Sequence, residues 1–146
     1  MALNRIFDIA GSAMAAQSTR LNTTASNIAN ADSANGDATK VYRARHPVFQ
    51  ATAQPNAQPF GELLSEQRGS VGVAITGIVE SNEPLAQRYQ PGHPDADENG
   101  NVYVSNVNAV EEMVNMLSAS RSYQSSVEII NTTKELVSQT LTMGNS

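Results

Sequence analysis

AVEEMVNMLSASRSYQSSVEIINTTKELVSQTLTM, residues 109 to 143, runs without a proline or a glycine. Within it Met113, Met116, Ser120, Tyr123, Val127, Ile130, Lys134, Val137 and Leu141 follow in steps of three and four. That spacing predicts one face of a long helix built to pack along another helix. Val110, Val114 and Leu117 widen the apolar stripe near its start. Asn108 with Glu111 makes a capping-box-like pair, and Glu112 adds negative charge where the helix dipole favours it. Gly144 is the expected stop. At 1.5 Å per residue such a helix is about 50 Å long, too long for a compact domain of this chain length.

The opposite end of the chain carries the matching pattern. Phe7, Met14, Leu21 and Ile28 lie seven apart, with Leu3, Ala10, Gln17 and Thr24 in the companion positions. Asn4 is the expected cap, and the stretch from Asp32 to Asp37, with Asn35-Gly36, ends the helix. Residues 9 to 31 contain one ionisable side chain, Arg20. A helix on a solitary globular protein shows charge to water on its outer face. Small, neutral, hydrogen-bonding groups all round suit contact with other helices on several sides. Gly11 costs about 1 kcal/mol inside a helix but admits a neighbouring backbone closely. The amides of Asn22, Asn27 and Asn30 are expected to bond neighbouring chains, leaving this segment poorly ordered until it assembles.

Between the helices the pattern changes. All 6 prolines fall between 47 and 94, and 7 of the 9 glycines between 36 and 100. Val41–Arg45, Val48–Thr52, Val71–Glu80, Leu85–Tyr89 and Val102–Val104 read as short strands, and 53–70 as a mobile loop. The expected fold is therefore mainly α: a coiled-coil hairpin of the terminal helices with a small β-hairpin-rich middle. The expected division is 1–31, 32–104 and 105–146.

Composition narrows the function classes. Charged residues are 16 %, against about 25 % in ordinary soluble domains. The net charge of −5 offers no basic footprint for nucleic acid or an anionic membrane. Cysteine is absent, which removes disulfides, thiolate metal sites and a cysteine nucleophile. No apolar run is long enough to span a membrane. Asp8 interrupts the region where a cleaved secretory signal would be apolar, so export by another route is expected.

Asp95-x-Asp97-x-Asn99-Gly100 copies the start of a calcium loop, yet position twelve is Asn106 instead of a bidentate Glu. Pro91, Gly92 and Pro94 also forbid the entering helix, and Asn99-Gly100 before Asn-Val-Tyr-Val reads as a hairpin turn. Asp95, Asp97 and Glu98 beside His93 read as solvated turn residues, with Glu80 and Glu83 the one further acidic cluster in the β region. His46 and His93 have no second histidine at ligand spacing. No catalytic, cofactor or metal residue is expected. Tyr123 reads as packing. For Arg20 and Arg121, exposure to solvent and a contact across subunits stand open.

GSAMAAQSTRLNTTASNIANADS, residues 11 to 33, resembles the N-terminal signature of the axial proteins of the bacterial flagellum. Its core is Gln17, then Arg20-Leu21-Asn22, then residues 25 to 31 with Asn27 and Asn30. The tail from Ser105 to Gly144, Arg121 included, resembles the matching C-terminal signature, and together they cover about half the chain. The opening MALNRIFDIAGSAMAAQS, the short middle and PGHPDADENGNVYVSNVN are most similar to the proximal rod members of that family.

The resemblance implies a structural subunit of the basal-body rod, exported unfolded by the flagellar type III apparatus and assembled helically in the periplasm. Its implied partners are copies of itself, other rod proteins and the basal-body rings. The terminal helices would pair antiparallel, bury their stripes against each other and against neighbours, and line the export channel. The packing residues expected are Phe7, Met14, Leu21, Ile28, Met113, Met116, Tyr123, Val127, Ile130, Val137 and Leu141. The alternatives are a soluble coiled-coil adaptor, a type III secreted protein, another rod or hook subunit, or a wall-cleaving hydrolase.

Overall fold

The computed structural model of the chain describes residues 2–52 and 72–144. The expected loop at 53–70 lies outside the described residues. In chain order the elements are α1 (Ala2–Ala29), β1 (Ala34–Asn35), β2 (Arg45–Thr52), β3 (Gly72–Glu80), β4 (Ala86–Tyr89), β5 (Asn101–Val104) and α2 (Ala109–Met143). Asn108 caps α2 as expected, whereas Asn4, the expected cap of the first helix, lies inside α1. Asn108 has extended backbone, and its side chain accepts from the Val110 and Glu111 N–H groups at 3.1 and 3.5 Å.

The two helices pack against each other, and two hydrogen bonds give their sense. Arg20 Nη2 donates to Asn115 Oδ1 at 3.0 Å, and Asn27 Nδ2 donates to Glu112 Oε2 at 3.1 Å. Moving forward along α1 thus moves backward along α2, an antiparallel pair. Its seam is made of small and polar residues. Ala10, Ala16, Thr23, Thr24 and Asn27 are buried on α1, and Glu112, Ala119, Ser126 and Thr133, seven apart, on α2. Thr23, Ser126 and Thr133 donate their hydroxyls to the carbonyls of Thr19, Ser122 and Ile129 in their own helices. A hydroxyl satisfied inside its helix enters a dry seam at little cost, and its small size brings the backbones together.

The middle corrects the expected fold class. It is a substantial sheet-containing region, with about 22 % of the described residues in strands and two antiparallel sheets. The expected strand Val48–Thr52 extends back through Pro47 to Arg45 as β2, while the expected strand Val41–Arg45 is not formed apart from Arg45. A two-stranded sheet leaves each strand one free edge, so a residue without an N–H is tolerated there. Val41 to Ala44 precede it as irregular backbone, with Val41 and Ala44 buried. Their polar groups are satisfied from afar: the Ala44 N–H donates to Asn106 Oδ1 at 2.8 Å, and its carbonyl accepts the Ser81 N–H at 2.7 Å.

β2 and β3 pair from Arg45 opposite Glu80 to Thr52 opposite Gly72, with an irregularity between Val48 and Phe49. The hairpin lies along α1. Its Arg45 end meets Asn27, and at its other end the Val73 N–H donates to Ser12 Oγ at 3.2 Å. The second sheet has the order β1-β5-β4, and Val102 at its centre is fully buried.

β4 and β5 pair antiparallel, joined by residues 90–100 instead of a two-residue turn. Gly100 takes φ +77°, which its lack of Cβ permits. The calcium-like string is a turn closed on itself: Asp97 Oδ1 accepts from the N–H groups of Asn99 at 2.9 Å and Asn101 at 2.7 Å. Gly36 packs so closely on it that a Cβ there would lie 2.5 Å from the Asp95 carbonyl oxygen. In the neighbouring turn, hydrogen bonds from the Thr39 hydroxyl and N–H hold the Asp37 carboxyl below its ordinary range.

Candidate functional site

Where α1, α2 and the start of β2 converge, one side chain holds all three. Asn27 is 1 % exposed. Its Nδ2 donates to the Arg45 carbonyl at 2.8 Å and to Glu112 Oε2 at 3.1 Å. Its Oδ1 accepts the Arg45 N–H at 3.0 Å and the Tyr42 hydroxyl at 2.9 Å. A carboxamide has two donors and two acceptor lone pairs, and every one is used. Toward Arg45 it behaves as a neighbouring strand would, pairing both the N–H and the C=O of one residue.

The network extends from Asn27 in two directions. Along α2, Glu112 is 4 % exposed, and its Oε1 accepts a longer bond, 3.4 Å, from Asn115 Nδ2. Asn115 in turn accepts from Arg20, the lone ionisable side chain of residues 9 to 31. Across the sheet, the Arg45 guanidinium donates to Glu80 Oε1 at 2.8 and 3.1 Å, and sits 5.3 Å above the centre of the Tyr42 ring. A cleft of about 360 Å³ lies beside this network, lined by Arg20, Arg45, His46, Phe49, Glu112 and Asn115, among others. A buried carboxylate surrounded by amide donors is stable only while they stay in place, so the cluster fixes helix register and hairpin position together.

The expected packing residues flank the seam instead of centring it. Phe7, Met14, Leu21 and Ile28 are half-buried, as are Met116, Val127, Ile130 and Val137. Met113, Tyr123 and Leu141 are exposed. Of the motif residues, Asn27 and Arg20 enter the network. Asn30 donates to the Ser26 carbonyl of its own helix at 2.8 Å, and Asn22 is exposed. Arg121 is exposed, without a hydrogen-bond or ion-pair partner among the described residues. Gln17 is half-buried, with its Oε1 buried and unpartnered among the described residues. Tyr42, Arg45, Glu112 and Asn115 are the members that sequence reasoning missed. Glu112 reads as a helix-dipole carboxylate, and nothing in the periodicity separates it from its exposed neighbour Glu111.

Among the described residues, no group of three His, Asp or Glu side chains could hold a metal ion. No helix among them is long and apolar enough to cross a membrane.

Both ends of the chain match known proteins. Residues 7–36 match the family model described as flagella basal body rod protein, and residues 98–143 match that of the flagellar basal body rod FlgEFG protein C-terminal region. Over 144 residues the chain is 49 % identical to the flagellar basal-body rod protein FlgC of Salmonella typhimurium, covering 99 % of each. It is likewise 49 % identical to FlgC of Yersinia enterocolitica, and 40 % identical over 145 residues to FlgC of Buchnera aphidicola subsp. Acyrthosiphon pisum, covering 98 % of each.

Proposed function

The chain belongs to the FlgC family of flagellar basal-body rod proteins, and from that membership we propose how this rod subunit assembles. It polymerises helically through its terminal helices, which line the channel through which later subunits are exported. Heterologous contacts that do not close on themselves generate a helical tube. It leaves the cytoplasm through the flagellar type III apparatus without a cleaved signal peptide, and the rod it enters lies in the periplasm. Residues 1–31 and 105–146 form the axial part, and 32–104 face outward toward neighbouring rod proteins or the basal-body rings.

One observation carries the reading: the helix pair closes on small residues and leaves the large apolar side chains at the start of α2 uncovered. Val110, Met113, Val114 and Leu117 are 70, 57, 63 and 55 % exposed on the first turns of α2. Fully burying such a side chain contributes about 1.5–3 kcal/mol, and in a filament that gain recurs at every subunit. Arg121, Asn22 and the outer flanks of the expected packing residues belong to the same contacts. Leu117→Asp tests this. The isolated chain should keep its helicity by circular dichroism, while cells carrying the variant build no rod and do not swim. Normal swimming would overturn the proposal.

A further inference from the structure

The outer side of α2 carries a shallow groove of about 480 Å³ near its C-terminal half. Tyr123 and Val127 give it an apolar floor, Asn131 lies among its lining residues, and the carboxylates of Glu128 and Glu135, seven apart, belong to its lining. No residue of α1 lines it. Elsewhere on the same chain, the first turns of α1 present an apolar pair beside one cation and one anion. Ile6 and Ile9 are 38 and 39 % exposed, the large apolar side chains that α1 leaves exposed among the described residues. They are flanked by Arg5 and Asp8, both exposed. Neither Arg5 nor Asp8, nor Glu128 nor Glu135, has an ion-pair partner among the described residues.

We infer that this groove receives the first turns of α1 from a second copy of the chain. Ile6 and Ile9 of that copy enter the groove, Arg5 answers Glu128 and Glu135, and Asp8 answers the exposed Lys134. Two observed features agree on one occupant, apolar floor with apolar pair and paired carboxylates with a cation; Lys134, next to Glu135 in sequence but outside the groove's lining, is the cation left for Asp8. Charge complementarity of this kind sets partner and register more than raw affinity. The two surfaces are different parts of one chain, so the contact is heterologous and each added copy leaves a free groove at one end and a free α1 at the other. The inference rests on the self-assembly proposed above and names the surfaces that meet.

The natural chain has no cysteine, which makes the test specific. Two differently tagged full-length copies, one Ile6→Cys and the other Asn131→Cys, are co-expressed in cells lacking the natural gene, and basal bodies are treated with a short bifunctional thiol reagent. A linked pair of the two tags, several-fold above an Asn22→Cys with Asn131→Cys control, is expected from swimming cells. Swimming cells with no such link, or with the cysteine linked to a different rod protein, overturn the inference while leaving the rod-subunit reading intact. Failure of that reading shows separately, as basal bodies without the unmodified chain. Should the cysteines themselves stop swimming, charge reversal decides. Arg5→Glu is expected to impair swimming several-fold, and Glu128→Arg with Glu135→Arg in the same chain to restore it. No impairment, or no restoration, overturns the inference.

Discussion

The helix pair has two unlike ends. Where the end of α1 meets the start of α2, a saturated amide, a buried carboxylate and an arginine bind the helices to each other and to the β2–β3 hairpin. At the far end, the start of α1 meets α2 through residues such as Ala10, Ser126 and Thr133, and Leu136, Leu141 and Met143 are 55, 66 and 74 % exposed. The first end is specified by hydrogen bonds that have one geometry. The second is held by close approach of small side chains, which fixes distance but buries little apolar area. The ends differ in how the chain closes on itself, while both leave apolar side chains of α2 uncovered for others, Val110 to Leu117 at the first and Leu136 to Met143 at the second.

The contrast breaks hardest at Asn27. Asn27→Leu leaves the part-buried Arg45 N–H and C=O and the buried Glu112 Oε2 without this partner, at about 1–3 kcal/mol for each group left unsatisfied. A stability loss of about 3–5 kcal/mol is expected in urea unfolding followed by circular dichroism. A loss below about 1 kcal/mol would show that the network holds nothing together.

Ala119→Leu probes the seam between the two ends. Ala119 is 0 % exposed, so the added atoms have to push the helices apart, at about 1–3 kcal/mol in the same assay. An unchanged midpoint would mean that the helices do not meet there. The smallest effect belongs to the far end. Leu136→Ser should alter the stability of the isolated chain by less than about 0.5 kcal/mol, because the side chain is already half in water. A larger loss there would erase the distinction between the ends.

Much of this architecture was legible in the sequence because period and caps are local properties. The steps of three and four from Met113 to Leu141, and Asn108 before Glu111, mark α2 within a residue of its observed limits. The centre of the seam was not legible. Large apolar residues attract the eye, whereas the buried line runs through Glu112, Ala119, Ser126 and Thr133, one residue before Met113, Ser120, Val127 and Lys134. Burial of Ser and Thr depends on carbonyls one turn back, which periodicity does not weigh. The extent of the sheets was hidden for a similar reason. Pro47 argues against a continuous strand until the strand is known to have a free edge, and β1 is two residues whose pairing with Tyr103 and Val104 is wholly non-local.

The network around Asn27 divides the same way. Its asparagine and arginine stand inside a legible motif, but Tyr42, Arg45, Glu112 and Asn115 join them only through contacts spanning up to 95 residues of chain.

The amino-acid order alone established two terminal helices, the length of the last, the shortage of charge in the first and their kinship with rod subunits, since each follows from neighbours within a turn or two. Tertiary structure alone decided which helix faces meet, which carboxylate is buried and how the hairpin lies along α1. Those outcomes depend on satisfying buried donors and acceptors between segments far apart in the chain, and no local pattern records where such partners will be found.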